Sequence, residues 1–292
     1  MRPGLFSMED GQRGRGIVRA RLPGRKDDMA GRDLKARRKR NRMGDLGSKI
    51  ADNTVFVLEF AFLVFAVFFI ARAAERRLNR RNGYTGRILT TGKMAMIGLF
   101  AAISTVLMLF EMPVPFAPPF YKIDLSELPV LIIAFAYGPV AGVMTEFIKI
   151  LLKLVVKSTS TAFVGELANF LVGCSLVLPA SVIYLEHKTK KQALIAVGAG
   201  VLIMTIFGSA FNGIYLLPKF AQLFGMPLDA IVGMGTKINA SVTSVGTLVM
   251  FCVAPLNLLK GGIDTILTLI LYKRLSPILK NSFGAASGRA RA

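Results

Sequence analysis

Glu146, Lys149 and Lys153 stand three and four residues apart inside an apolar run, a spacing that puts all three on one face of a helix. Ionisable groups in such a run cost roughly 2.5–3.5 kcal/mol each at a bilayer centre unless something satisfies them. Two readings are open for this group: an ion pair that satisfies itself inside a bundle, or a polar wall beside a ligand. A second group follows the same logic. Asn212 stands in one apolar run, and Asn257 and Lys260 stand three apart in Pro255-Leu-Asn-Leu-Leu-Lys260-Gly-Gly-Ile-Asp264. An asparagine presents both a donor and an acceptor, which suits a neutral heterocycle with adjacent carbonyl and N–H groups, and a lysine ammonium donates to a carbonyl or hydroxyl. Interhelical hydrogen bonding accounts for the same residues equally well. Asp264, one turn beyond Lys260, is placed to neutralise it.

Other chemistry lacks its residues. No Gly-x-x-x-x-Gly-Lys-Ser/Thr loop is present; Gly92-Lys93 is followed by Met94, and Arg87 stands where the first glycine belongs, so no ATP hydrolysis is expected. There is no Gly-x-Ser-x-Gly elbow, no His-Glu-x-x-His and no aspartate cluster for Mg²⁺. His187, the only histidine, lies in a polar stretch and is expected to be solvated. Cys174 and Cys252 lie far apart in separate apolar runs, without Cys-x-x-Cys spacing, and read as packing residues. No metal site, no cofactor and no catalytic residues are expected, and the chain is read as a non-enzyme.

The elements that must position these groups are membrane helices. Of 292 residues 53% are hydrophobic and only 18% charged, against about 25% charged in a soluble domain. Runs such as 54–71 and 193–218 carry almost no charge, and about 18 or more apolar residues suffice to cross a bilayer. The chain is read as an all-α polytopic membrane protein. Residues 1–53, with 15 Lys/Arg against 7 Asp/Glu, are expected to be a basic disordered tail without a signal peptide. An extra hydrophobic helix follows at 54–72, then a basic linker at 73–92. The main domain at 93–280 holds six apolar segments, at about 94–110, 124–137, 139–157, 163–185, 193–217 and 242–272, and a tail at 281–292 ends the chain. Tyr137-Gly138-Pro139 separates the second segment from the third, since proline breaks a helix. The second segment is too short to cross alone unless its polar start counts or protein shields its ends. A long loop is expected at 218–241.

The formal charge of +20 is concentrated before the main domain, with +8 in 1–53 and +6 in 72–93. Basic segments beside membrane spans set topology or touch anionic lipid, and no folded nucleic-acid-binding module accompanies them, so no nucleic-acid partner is expected. Basic loops at 72–93 and 187–191 and the Lys273/Arg274 tail fall on one side of six alternating helices, while Glu111, Asp124, Glu127 and Asp229 fall in the opposite loops. The first side is expected to be cytoplasmic. Seven spans would then put the basic tail outside, against the rule. The first helix lies in the interface, or the tail is translocated, or translation starts downstream.

Six stretches occur together and in order: Phe110-Glu-Met-Pro-Val-Pro-Phe-Ala-Pro-Pro-Phe120, Ile123-Asp-Leu-Ser-Glu-Leu-Pro129, Tyr137-Gly-Pro-Val-Ala-Gly142, Thr159-Ser-Thr-Ala-Phe-Val-Gly-Glu-Leu-Ala-Asn-Phe170, Phe211-Asn212 with Leu216-Leu-Pro218, and Pro255-Leu-Asn-Leu-Leu-Lys260-Gly. Over about 93–280 the chain resembles the riboflavin-binding S components of energy-coupling factor (ECF) transporters. The resemblance implies a six-helix S-component bundle in a bacterial cell membrane, both bundle termini cytoplasmic, with a vitamin held near the outer face. It implies as partners a transmembrane coupling (T) subunit and two ABC-type ATPases, and as ligand contacts Asn212, Asn257 and Lys260, with Phe116, Tyr121 and Asp124 on the outer loop. It also implies a coupling surface of small residues on the first helix of the bundle. Here Ala95-x-x-x-Leu99 departs from the family's Ala-x-x-x-Ala, and Gly98-x-x-x-Ala102 offers small residues nearby. The helix at 54–72 and the 218–241 loop have no counterpart in the family pattern.

Riboflavin suits the composition. Its flat apolar ring system wants walls of the kind that 21 Phe and 13 Met supply, and its polar edge and polyol want a few fixed amides. The absence of Trp argues against a cationic vitamin in a tryptophan cage. Three rivals remain: another vitamin or a flavin nucleotide as cargo; a membrane-embedded lipid enzyme built on Glu146, Lys149 and Asp264; and a stand-alone secondary transporter, for which no convincing internal repeat is visible.

Overall fold

A computed structural model of the chain describes residues 54–288 apart from Ser160 and Ala162. The expected basic tail at 1–53 lies outside the described residues. The first helix, α1, spans Thr54–Arg81 and so runs on past 72. Nothing between 72 and 81 breaks a helix, and Arg, Ala, Glu and Leu favour one. It stops where Gly83 takes a left-handed φ of 65°. At 1.5 Å per residue its 28 residues reach about 42 Å, enough to cross a hydrocarbon core of roughly 30 Å.

Helix α2 (Thr91–Leu109) begins at Thr90, whose side chain accepts from Lys93 N. A two-residue antiparallel ladder of β1 (Met112–Pro113) with β2 (Lys122–Ile123) closes the proline-rich loop after it, pairing Met112 with Ile123. Helices α3 (Glu127–Tyr137) and α4 (Pro139–Val156) meet at Gly138. Gly138 has φ 111°, and a Cβ there would come within 2.8 Å of the Glu75 carboxyl, so only glycine fits. That carboxyl accepts from Val140 N at 2.8 Å, capping α4 from α1. With 11 residues α3 is about 16 Å long, and every residue from Glu127 to Phe135 is buried against its neighbours. Such a helix survives at membrane depth because protein, rather than lipid, surrounds its ends.

Helix α5 (Val164–Glu186) leads to α6 (Lys190–Phe211), which continues through a π-helical turn at Asn212–Leu216 into α7 (Leu217–Phe224). After α8 (Leu228–Thr236) comes α9 (Val245–Leu248), a second π turn at Val249–Val253, and α10 (Ala254–Gly288). Pro218 and Pro255 each follow a π turn closely. A proline ring crowds the carbonyl four residues back, and a wider turn gives it room. The 218–241 stretch is therefore not one long loop. Leu217, Ala221, Ile231 and Val232 are apolar enough to pack as two short helices with Val114, Ala117 and Leu248 in a cluster at one end of the bundle.

Among the described residues, five helical runs are long and apolar enough to cross a membrane: Phe56–Arg81, Thr91–Leu109, Val164–Glu186, Lys190–Phe224 and Val245–Leu275. Helix α3 is too short, and α4 carries the three charges of Glu146, Lys149 and Lys153. The architecture is a multi-pass helical bundle with one extra N-terminal helix.

Candidate functional site

A cavity of about 570 Å³ opens at the end of the bundle that carries the proline-rich loop. Its walls come from that loop and from α3 to α8 and α10. Phe120, Phe220, Leu216, Leu217, Met204, Met234 and Leu256 supply the apolar surface. Phe120 and Phe220 stack at 5.4 Å between centroids, with their planes 26° apart, and form a flat aromatic edge. A volume in the range of roughly 300–1,000 Å³, apolar walls and a few convergent polar groups are the attributes of a small-molecule site.

Asn212, Asn257, Lys260, Asp124 and Tyr121 all line this cavity, although they come from three separate stretches of chain. Tyr121 donates from its hydroxyl to Asn212 Oδ1 at 3.1 Å, and Asn212 Nδ2 donates to Gly208 O at 2.8 Å. One side chain from the loop thus fixes the amide of the π turn. Asn257 Nδ2 is buried and has no hydrogen-bond partner among the described residues. A buried donor without a partner is expensive, so Asn257, which lines the cavity, is suited to meet an incoming acceptor. Gly208 makes room for it, since a Cβ there would lie 2.7 Å from Asn257 Nδ2. Phe116 does not line the cavity; it packs in the cluster of Val114, Ala117 and Leu248 beside it.

The floor of the cavity is ionic. Lys260 Nζ lies 3.3 Å from both Asp124 Oδ2 and Glu127 Oε1. Below it Lys149 Nζ lies 3.1 Å from Glu127 Oε1, 2.6 Å from Glu146 Oε1 and 3.0 Å from Ser126 Oγ, with all three ionic side chains at most 1% exposed. Two expectations need correcting. Asp264 is not the ion-pair partner of Lys260: among the described residues its carboxyl has no hydrogen-bond partner, and Lys260 pairs instead with acids far from it in the sequence. Glu127 and Asp124 are not surface-loop acids, because two lysines buried at membrane depth need them as counter-charges. The α4 triad divides between its two readings. Glu146 and Lys149 are part of the buried ion cluster, while Lys153 lines the cavity and pairs with Glu166 at 3.2 Å.

Several lining residues are not singled out as contacts from the sequence. Gly173 sits over the cluster, where a Cβ would come within 2.7 Å of Glu146 Oε1 and 2.9 Å of Glu127 Oε2. A glycine in an apolar helix gives no hint of such a role. Asn169 and Phe220 also line the cavity, Asn169 at the end of one of the six stretches noted above. At the mouth Glu111 bridges Lys122 and Lys157, each at 2.8 Å.

The small residues of α2 are at the surface. Ala95, Gly98 and Ala102 are exposed, together with Met94, Leu99, Ile103 and Val106, whereas Ile97, Phe100, Ala101 and Met108 face the bundle.

A multi-pass bundle holding a polar-floored, aromatic-rimmed cavity defines a membrane-embedded binding protein. The chain belongs to the family of ECF transporter substrate-specific components, which it matches over residues 92–272. It is a transporter's binding component and not an enzyme, with no resident cofactor. It is similar to the riboflavin transporter FmnP of Bacillus subtilis strain 168, at 27% identity across 66% of this chain and 96% of that protein. The riboflavin transporter RibU of Staphylococcus aureus strain TCH60 is 31% identical across 64% of this chain and 92% of its own. A solved structure of the S component of a bacterial ECF transporter superposes with a TM-score of 0.51 at 32% identity, covering 65% of this chain and 98% of that one. The family match begins after α1.

Proposed function

We propose that the chain captures riboflavin in this cavity and delivers it across the membrane with a T subunit and two ABC-type ATPases. The observation that carries the ligand is the buried, unpartnered Asn257 Nδ2 beside Lys260 and Asn212, under an aromatic edge of Phe120 and Phe220. The flat ring system fits against the aromatics, its carbonyl and N–H edge meets the amides, and the polyol reaches the polar mouth. Curated relatives that share most of their length with this chain are named riboflavin transporters, which supports the same cargo.

In this reading the cavity mouth faces outside and the C-terminus is cytoplasmic. The basic residues of 72–93, 187–191 and Lys273/Arg274 gather at the other end, as the positive-inside bias requires. The exposed stripe of Ala95, Gly98 and Ala102 docks the T subunit, since small residues allow close helix approach. Energy comes from the ATPases, because the chain has no phosphate-binding loop of its own.

Purified protein titrated with riboflavin should quench flavin fluorescence with submicromolar affinity; no quenching at micromolar concentration would overturn the assignment. FMN added in competition separates a neutral from a phosphorylated cargo. Gly98→Leu should abolish uptake in cells expressing the T subunit and ATPases while leaving binding intact. Undiminished uptake would remove the coupling surface from α2.

A further inference from the structure

Helix α1 lies outside the family match, yet it grips the back of the cavity wall. The segment 212–224 has two working faces. Asn212, Leu216, Leu217 and Phe220 line the cavity. Tyr215 and Lys219, one residue before Leu216 and Phe220, turn to α1. There the Tyr215 hydroxyl donates to Glu59 Oε2 at 2.5 Å, and Lys219 Nζ lies 3.3 Å from the same oxygen. Lys219 Nζ also sits 5.5 Å from the centroid of the Phe56 ring, so Phe56 and Glu59, three apart on α1, hold one ammonium between them. Tyr215 stacks on Phe211 at 5.2 Å and Phe211 on Phe207 at 5.5 Å, a ladder that carries the contact down α6.

The place of this grip matters. Residues 212–216 form a π turn, in which each backbone bond skips one residue more than in an α-helix. Such turns are poor in isolation and persist where the surroundings hold them. A relaxation to α-helical register would rotate Asn212 relative to Phe220, moving the amide that Tyr121 fixes away from the aromatic edge. Glu59 holds the turn from one side and Tyr121 from the other.

The far end of α1 is anchored independently. Arg81 Nη1 pairs with Glu186 Oε1 at 2.6 Å, at the end of α5 opposite its cavity-lining residues Val164 and Gly165. The helix therefore runs the height of the bundle instead of lying in the interface plane.

We propose that α1 is part of the binding unit and that Glu59 is a positioning residue, holding the π turn in the register that presents Asn212 and Phe220 to the ligand. This rests on the reading of the cavity as the flavin site, so the test carries one readout with ligand and one without.

Hydrogen exchange of the full chain in detergent, without ligand, is compared between wild type and Glu59→Leu. Exchange should rise in 212–224 and stay unchanged in 127–156. Riboflavin Kd should rise about tenfold, the equivalent of one charge-assisted hydrogen bond, through a faster off-rate. Tyr215→Phe removes a single oxygen and should give the same change in direction, with less than additive effect on top of Glu59→Leu. Glu59→Gln keeps an acceptor for Tyr215 and should restore part of the affinity. Arg81→Ala, which cuts the distal anchor, should leave Kd unchanged. If exchange in 212–224 is unaltered in both Glu59→Leu and Tyr215→Phe, the positioning role is wrong whatever the ligand. If wild type fails to bind riboflavin while exchange responds, the cargo assignment falls and the grip stands.

Discussion

The floor and the mouth of the cavity use the same chemistry to different ends. At the floor Lys149, Glu127 and Glu146 are at most 1% exposed, and Lys260 and Asp124 close the cluster from above. At the mouth Glu111 bridges Lys122 and Lys157, whose side chains are 36% and 49% exposed. Distances in the two places are alike. Solvent makes the difference: a charge stripped of water depends wholly on its partners, whereas one at the mouth has water to fall back on. The floor thus fixes where α3, α4 and α10 sit, and the mouth pairs contribute less to holding the loop.

The largest expected effect comes from breaking the floor. Lys149→Met leaves Glu127 and Glu146 buried with one counter-charge fewer, a loss of about 3–5 kcal/mol. The thermal midpoint in detergent should collapse, or folded protein should fail to accumulate; a midpoint near that of wild type would erase the contrast drawn above. Next comes a buried amide donor that has no hydrogen-bond partner among the described residues. Asn257→Ala should weaken riboflavin binding about tenfold with the midpoint unchanged, since no internal hydrogen bond of Nδ2 is lost. A fall in midpoint without a fall in affinity would make Asn257 a packing residue.

The smallest effects belong to the mouth. Partial burial pushes the Glu111 carboxyl up, but the Lys122 and Lys157 ammonium groups outweigh it and hold it below its ordinary 4.5. A depressed carboxyl stabilises the folded form above its ordinary value, and the contribution is lost only as pH falls through the depressed one. Riboflavin affinity should therefore be flat from about pH 7 to about pH 5, and Glu111→Gln should shift Kd by about twofold or less. A sharp loss of affinity between those pH values would mean that Lys122 and Lys157 do not hold the Glu111 carboxyl down.

Much of the site was legible because membrane helices make polar residues conspicuous. Asn212, Asn257 and Lys260 stand out in apolar runs, and Gly138-Pro139 marks the break between α3 and α4. Glu127 was harder to place. Its acid follows a polar loop, and only the fold turns it inward to meet Lys149 and Lys260. Phe116 looked equivalent to Tyr121 in the proline-rich loop; both pack against the outer cluster, but only Tyr121 also lines the cavity, with a hydroxyl that donates to Asn212.

The sequence alone determined that this chain is a bundle of membrane helices with a few polar groups at fixed places on their faces, because helix period and apolar run length are local properties. Tertiary structure alone decided which charges meet. Lys260 has Asp264 one turn away along its own helix, yet it pairs with Asp124 and Glu127 from the far side of the sequence. Likewise Glu59 finds Tyr215 and Lys219 through packing that no local pattern encodes. Inside a low-dielectric bundle a charge is stabilised by whatever packing brings within about 3 Å, and sequence spacing fixes only the face on which it waits.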